Sequence, residues 1–444
     1  MVALQVIGLF LALFLLAFMV AKGLHIYIAS IAATAILIVT NSLGVVDSMT
    51  AYTAGVADFV GKYILYFFAG AIFGAVMDAT GCARKIGGWL LNAIGTKGAV
   101  FAVMLASSLL TIGGITGYVL VLVVYPIAIN MFRGAKLPPA ILPAVIGAGT
   151  TVGVGFLPYS TSVNNMIPTE YLGTTIASGA LYGCIGAVVV YVFCLLYFKY
   201  AVKKITKGTM SLSDEQMGQM YAVYDKEEPL SQEAELPSLA CAGIPMIVSV
   251  GLAIVLVNVT EWTSLNCVLL SVSIAIVACM LLNRKYLKAP NKTIAKGVEN
   301  AISICLITAA VMGFGNAVTT TPGYTEIANF ITNIDMNPYF TAIVATSLMA
   351  AVTANSVGGI RMSMQTFGDF FVASGANLGA IHKITVISGL GLNTMPHSGS
   401  TLSQLKTCKV SFKEGFMHVF ITSGLIPLLG SIIIAIVAMI VAPV

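Results

Sequence analysis

The sequence predicts an all-α polytopic membrane protein, built from two inverted-topology repeats of five spans each with one re-entrant helical hairpin per repeat. Three observations support this fold class. The chain of 444 residues is 58% hydrophobic and only 9% charged, whereas soluble domains carry about 25% charged residues. Many of its apolar runs are long enough to cross a hydrocarbon core of about 30 Å. Polar interruptions also recur inside these runs at matching places in the two halves.

Ten spans are expected in chain order. The first is an apolar run longer than the core of a signal peptide, without a basic segment before it, so we interpret it as a retained span. Most lysines and arginines fall in short segments between spans, such as 84–97, which we expect as loops. This distribution is typical of membrane topology and does not indicate nucleic-acid binding. The ten spans are 3–21, 26–46, 60–80, 139–158, 176–198, 239–258, 263–283, 298–318, 382–400 and 415–442.

Two further apolar segments, 98–132 and 339–376, contain glycine-rich breaks at 111–117 and 353–361. The basic loops fall on one side of the membrane only if both segments enter the membrane and turn back. We therefore predict two re-entrant hairpins, whose irregular backbone must be enclosed by protein or face a water-filled cavity.

The long polar stretch at 199–236 is expected as a cytoplasmic linker between a first repeat at 1–198 and a second at 237–444. Short sequences match across the two repeats at nearly constant offsets. LPYSTS at 157–162 faces MPHSGS at 395–400, and FGAVMDATGCARKI faces FGNAVTTTPGYTEI. Inverted repeats with broken helices and a site near the membrane midplane are typical of secondary transporters.

Pro158 and Pro396 each remove a backbone hydrogen bond and break a span. The freed backbone groups need partners inside the membrane, and a substrate or an ion can supply them. Each polar side chain nearby has an alternative role, a hydrogen bond to its own helix backbone. The candidate substrate-binding residues are Tyr159, Ser160, Thr161, Ser162, Asn164, His397, Ser398 and Ser400 at the breaks, and Thr116, Asn355, Ser356 and Arg361 in the hairpins.

Arg361 lies in an apolar hairpin, where a charge needs a partner. Its guanidinium binds a substrate carboxylate, pairs with Asp369 or extends to water. His397 and Asp369 are the candidate proton-coupling residues, since a histidine titrates near neutral pH; the alternative for His397 is a neutral ring that fixes the loop. Asp58 and Lys62, one helical turn apart, are expected as a surface ion pair, and His382 at the membrane interface.

Three stretches, GAIFGAVMDATGCARKI, ILPAVIGAGTTVGVGFLPYSTSVNNMIPTEYLGTT and TMPHSGSTLSQL, resemble the gluconate permease family of the ion transporter superfamily. The PHSG form is similar to the branch of permeases for short-chain hydroxy acids. The resemblance implies uptake of small organic anions, usually with protons, by a dimer with a scaffold domain and a moving transport domain. Arg361 stands where that pattern has a small or apolar residue.

The sequence contains no HExxH, Walker A or GxSxG motif, so we expect neither an enzyme nor an ATP-driven pump, and no cofactor, metal or nucleic-acid partner. The expected function is a secondary active transporter, a homodimer in the lipid bilayer of the cell (inner, cytoplasmic) membrane. It would import gluconate or a short-chain hydroxy acid by H⁺ symport with elevator-like alternating access. The alternatives are a Na⁺-coupled carboxylate symporter and an anion channel.

Overall fold

The structure is a computed structural model that describes residues 2–22, 24–115, 117–222, 235–333, 336–396 and 398–443. Within these ranges all regular structure is helical. The α-helices are α1 (Val2–Ala21), α2 (Ile26–Asn41), α3 (Val45–Ala79), α4 (Cys82–Ile94), α5 (Ala99–Ile112), α6 (Gly117–Gly134), α7 (Leu142–Thr151), α8 (Val163–Leu172), α9 (Ala180–Ile205), α10 (Asp214–Tyr221), α11 (Leu239–Val259), α12 (Ser264–Leu282), α13 (Pro290–Thr319), α14 (Pro322–Asn333), α15 (Pro338–Thr353), α16 (Ser356–Ala373), α17 (Leu378–Gly391), α18 (Gly399–Thr407), α19 (Phe412–Val419) and α20 (Ile426–Val441).

Eight helical segments in the described ranges are long and apolar enough to cross a membrane. The chain is therefore a multi-pass membrane protein, as its composition predicts. The predicted spans coincide with helical segments except for 382–400, of which α17 covers only the first part, and α2 is shorter than a full crossing. α3 has 35 residues and begins at Val45, well before the predicted start at residue 60. Asp47, Asp58 and Lys62 lie within it, and these charges concealed its length from a reading based on apolar runs.

Each predicted hairpin consists of two helices separated by a short break, with the two helices packed against each other. The first break follows Ile112 and the second follows Thr353. Gly114 has a φ of 100° in the first break, and Ala354 has a φ of 44° in the second. Glycine enters this left-handed region freely, whereas alanine does so at a cost, so the second break is held by its surroundings.

Both Pro-containing interruptions end helices, but the second differs from its prediction. A π-helical stretch, Val152–Phe156, extends α7 up to the first break. The predicted span 382–400 is instead α17 over Leu378–Gly391 followed by the separate helix α18 from Gly399. Pro396 disfavours helical backbone at the residue before it, so helix cannot continue through the segment that the sequence analysis assigned to one span.

The basic segment 84–97, expected as a loop, lies mostly in α4. Ala83, Gly87 and Leu90 are buried at helical spacing, whereas Trp89 is exposed. α4 meets the following helical segment, Thr96–Ile112, at an angle of 102°. It is an amphipathic helix at the entrance of the first hairpin, and α14 is its counterpart before the second hairpin.

The same packing order occurs in both halves of the chain. α1 packs against α2 as α11 packs against α12, and α5 packs against α7 as α15 packs against α17. The long helices α3 and α13 pack against each other. α8 contacts α16, and α18 contacts α6. The short helix after each Pro break therefore lies against the second arm of the hairpin in the other half.

The start of the predicted linker docks on the end of the first hairpin. Ser213 caps α10, and the Tyr221 hydroxyl donates to the Leu137 carbonyl at 2.7 Å. Lys136 Nζ lies 2.9 Å from Asp214 Oδ1. The Lys136 ammonium holds the pKa of the Asp214 carboxyl below its usual value.

Candidate functional site

The first Pro break leaves backbone carbonyls without partners in their own helix. Pro158 has no N–H to donate. Tyr159 has a φ of 57°, and its N–H donates to the Ile176 carbonyl at 3.2 Å instead of back into the helix. The carbonyls of the last turn before the break, such as that of Gly155, are thereby left to other donors.

The first break contacts the first hairpin tip, as predicted. Thr161 Oγ1 donates to the Ile112 carbonyl at 3.3 Å. Ser162 caps α8, and Asn164 Nδ2 donates to Ser162 Oγ at 3.2 Å. Ser160 Oγ and Asn164 Oδ1 are buried and have no hydrogen-bond partner among the described residues. Because an unpaired buried polar atom costs about 1–3 kcal/mol, these two oxygens are candidate ligand contacts.

The second break and its hairpin tip provide fewer candidate ligand contacts. Ser398 is buried, with its Oγ 2.9 Å from Ser400 Oγ. Asn355 Oδ1 accepts from the Gly358 N–H at 3.0 Å and caps α16, which is the helix-backbone alternative stated above. Ser356 is buried in the first turn of the same helix. His397 and Thr116 lie outside the described residues, so their roles stay predictions.

The two broken spans cross each other just before their breaks. A Cβ added at Gly155 would lie 2.4 Å from Leu390 Cδ1 and 3.5 Å from Val386 Cγ1. The missing side chain of Gly155 is what allows α17 to pack against the end of the π-helical stretch. The first break is therefore enclosed by helices of both halves.

Arg361, on α16, is 3% exposed and forms an ion pair with Asp58 of α3. Its guanidinium also lies over the rings of Phe59 and Tyr63, at 5.6 and 5.8 Å from their centroids. The alternative that Arg361 pairs with Asp369 is wrong. Asp369 is exposed on the same helix, eight residues or about 12 Å further along its axis, whereas α3 brings Asp58 directly against α16.

Asp58 and Lys62 are more than the surface pair that their spacing predicts. Lys62 Nζ lies 3.4 Å from Asp58 Oδ1 and 3.5 Å from Glu170 Oε2. The Tyr63 hydroxyl donates to Glu170 Oε1 at 2.6 Å. A network of two acids and two bases thus joins α3 and α8 to Arg361 on the second hairpin.

A cavity of about 200 Å³ opens beside Arg361. Arg361 Nη1 is buried and has no hydrogen-bond partner among the described residues. An unpartnered guanidinium nitrogen on a side chain that lines a polar cavity makes Arg361 a candidate contact for a carboxylate oxygen. The lining residues are Ala54, Gly55, Asp58, Met312, Asn316, Arg361 and Gln365.

Comparison with protein families matches residues 13–360 to the citrate transporter family. The match covers well over half of the chain. The chain belongs to the citrate transporter family. The ion transporter superfamily expected from the sequence agrees with this membership, whereas the gluconate permease branch and its hydroxy-acid sub-branch stay predictions.

Two relatives of this citrate transporter family member are named as a transporter and as a permease. The uncharacterized transporter YxjC of Bacillus subtilis is 24% identical over 457 residues, covering 94% of this chain and 95% of the relative. An uncharacterized permease of Haemophilus influenzae is 21% identical over 364 residues, covering 78% and 73%. The fold resembles the crystal structure of the Alcanivorax borkumensis YdaH transporter, with a TM-score of 0.58 at 14% identity over 90% of each chain.

Sequence reasoning missed the most enclosed polar cluster of this family member. His382, expected at the membrane interface, is fully buried, as are Lys383 and Asn165. Lys383 Nζ lies 3.0 Å from Asn165 Oδ1, and His382 Nε2 lies 3.1 Å from the same oxygen. A lone lysine inside LGAIHKITVISGLG was a signal that could have indicated this cluster. It was overlooked because the span was expected to begin at residue 382.

Proposed function

We propose that this citrate transporter family member is a secondary transporter that moves a small organic carboxylate anion across the membrane. The observation that carries the proposal is the buried, unpartnered Nη1 of Arg361, whose side chain also lines a polar cavity. A buried guanidinium donor is costly unless something binds it. The family membership supports transport, and the donor supports an anion as the transported species.

The cavity limits the size of the substrate. A volume of about 200 Å³ favours a small organic acid. Arg361 offers one carboxylate contact, and the side chains of Asn316 and Gln365 line the same cavity with amide groups. Citrate, gluconate and 3-hydroxybutyrate are the acids that we would test first.

We assign H⁺ coupling to Asp58. The Asp58 carboxylate and a substrate carboxylate compete for one guanidinium, because Arg361 Nη2 is already engaged by Asp58. A proton on Asp58 removes its charge and leaves the whole guanidinium to the substrate. Because the substrate can then bind Nη2 as well as Nη1, proton binding strengthens substrate binding, and this linkage is the basis of symport. Among the earlier candidates, Asp369 is exposed and has no contact with Arg361.

Alternating access by an elevator-like movement, as a homodimer, completes the proposal. It is supported by the equal packing order of the two halves and by the contact of each post-break helix with the opposite hairpin. Both hairpins and both breaks would form one moving unit, and the long helices α3 and α13 would lie beside it. The Arg361 cavity lies at the boundary between that unit and these two helices.

The test uses purified protein and reconstituted vesicles. A thermal-unfolding screen of organic acids identifies the ligand, since a ligand stabilises the folded state by mass action. Uptake of that acid into vesicles is then measured with an inward H⁺ gradient, with and without Na⁺. The proposal predicts saturable uptake with counterflow, driven by the H⁺ gradient. Uptake that requires Na⁺ would contradict H⁺ coupling, non-saturable flux would indicate a channel, and no response to any organic acid would contradict the substrate class.

A further inference from the structure

Lys383 places a fully buried ammonium at the first Pro break, inside the protein and away from the Arg361 cavity. Its Nζ lies 3.0 Å from Asn165 Oδ1, 3.4 Å from the Leu157 carbonyl and 3.5 Å from the Gly155 carbonyl. An ammonium has three hydrogens to donate, and three oxygens surround it. This is the coordination of a cation by neutral oxygens.

The three oxygens come from the broken span itself. The Gly155 carbonyl lies in the last turn of the π-helical stretch, where a helix carries the negative end of its dipole, and the Leu157 carbonyl follows it in extended backbone. The Gly155 carbonyl is free because the Tyr159 N–H donates to the Ile176 carbonyl. Broken helices that expose carbonyls in this way form cation sites in membrane transporters.

Asn165 is oriented so that its oxygen must face the cation. Its Nδ2 donates both hydrogens to carbonyls, those of Ser160 and Ile176, each at 3.1 Å. Its Oδ1 therefore accepts from Lys383 and from His382 Nε2. The other ring nitrogen of His382, Nδ1, lies 2.8 Å from the Thr174 hydroxyl.

No carboxylate among the described residues forms an ion pair with Lys383. The ammonium is thus the charge that these oxygens stabilise. Two glycines leave space for the aliphatic part of the Lys383 side chain. A Cβ at Gly179 would lie 2.7 Å from Lys383 Cγ, and one at Gly183 would lie 3.4 Å from Lys383 Cε. Pro158 and Pro396 are 238 positions apart, and the residue 238 positions before Lys383 is Val145. The lysine is therefore specific to one half.

We propose that Lys383 is a tethered cation. Its terminal amino group fills a binding site for a monovalent metal ion at the first break, so the protein binds no Na⁺ there, and shortening the side chain opens the site to an alkali-metal ion. A site filled in this way means that transport needs no Na⁺ at this break. This consequence rests on the transport function proposed above. The occupancy of the site itself does not.

The experiment compares two neutral substitutions in purified full-length protein. Lys383→Ala removes the charge and leaves room among the three oxygens, whereas Lys383→Met removes the charge and fills the same space with an apolar chain. Thermal unfolding is recorded in choline, Li⁺, Na⁺ and K⁺ chlorides at equal ionic strength. We expect at least one alkali-metal ion to raise the unfolding temperature of Lys383→Ala by about 3 °C or more over choline. The unfolding temperatures of Lys383→Met and of the unsubstituted protein should not depend on the cation.

Three results would overturn the proposal. These are no cation effect on Lys383→Ala, an equal effect on Lys383→Met, or a stabilisation of the unsubstituted protein by Na⁺ over choline. The last measurement needs no variant, so the proposal stays testable if Lys383→Ala does not fold in any salt. Recovery of folded Lys383→Ala only in an alkali-metal salt would support it. Because the readout is unfolding and not uptake, failure of this proposal is distinguishable from failure of the transport function.

Discussion

Arg361 and Lys383 are both buried cations in the second half of the chain, yet their surroundings are opposite. Lys383 is enclosed by three neutral oxygens, and each of its donors has an acceptor. Arg361 has a carboxylate on one nitrogen, a free donor on the other and a cavity beside it. Lys383 has the surroundings of a bound cation, whereas Arg361 has those of a group that exchanges partners.

This difference shows what a charge inside a membrane protein can do. A charge whose hydrogen bonds are complete contributes to holding a broken helix together, because it supplies the donors that the break removed. A charge that competes between an acid of the protein and an acid in solution couples binding to protonation. Substitutions at Lys383, Gly183, Asp58 and Arg361 test whether the two cations are as different as their contacts indicate.

The largest effect is expected from Lys383→Met. The carbonyls of Gly155 and Leu157 lose their donor, each at about 1–3 kcal/mol, and the Asn165 oxygen keeps only that of His382, while the desolvation of the charge is recovered. We expect a net loss of stability of about 3 kcal/mol, measured by thermal unfolding in detergent. Lys288→Met, at an exposed position, is the control. Equal stability of the two variants would contradict a role for Lys383 in closing the break.

A smaller loss is expected from Gly183→Ala. The added Cβ would lie 2.1 Å from the Phe156 carbonyl, a backbone atom that cannot move away easily. Crowding of this kind costs about 1–3 kcal/mol, and thermal unfolding again measures it. Gly243→Ala is the matched control, since its Cβ meets nothing within 4 Å. If both alanines were tolerated equally, the close packing around Lys383 would not be needed.

Asp58→Asn should change coupling more than stability. The amide mimics the protonated carboxyl, so Arg361 is free for substrate at every pH. Uptake by the unsubstituted protein should fall when the external proton concentration is lowered, whereas uptake by the variant should stay within about twofold across the same pH series. Asp369→Asn should retain the original profile. A pH dependence that is lost in Asp369→Asn and kept in Asp58→Asn would reverse our assignment.

The smallest effect concerns Asp214→Asn in the linker. Lys136 and Asp214 are both largely exposed, and surface pairs of this kind add little to stability. We expect no measurable change in unfolding temperature or uptake. A clear loss of uptake would show that docking of the linker on the first hairpin matters for function.

Much of the fold could be predicted because it depends on apolar length. Runs of about 20 apolar residues locate spans, and glycine or proline inside them locates the breaks at 111–117 and 157–162. Segments with charges within a helix were harder. α3 and α4 contain Asp58, Lys62 and Arg84, and a rule that equates charge with loop shortens or misses such helices.

The site was predictable in its polar residues but not in its partners. Arg361 was a candidate because a charge in an apolar hairpin is unusual, yet its partner Asp58 is 303 residues away in sequence. No local pattern specifies that contact. Lys383 could have been found by the same criterion as Arg361, but which carbonyls surround it depends on how α17 crosses the first break.

The most direct test of the central claim is the affinity of Arg361→Lys for the organic acid found in the screen, measured by equilibrium binding to purified protein. Lysine keeps the positive charge beside Asp58 but loses the second donor of the guanidinium. Losing a charge-assisted hydrogen bond of about 1.5–3 kcal/mol should weaken binding roughly tenfold to a hundredfold, while Arg284→Lys in an exposed loop binds as the unsubstituted protein does. Unchanged affinity in Arg361→Lys would contradict the account.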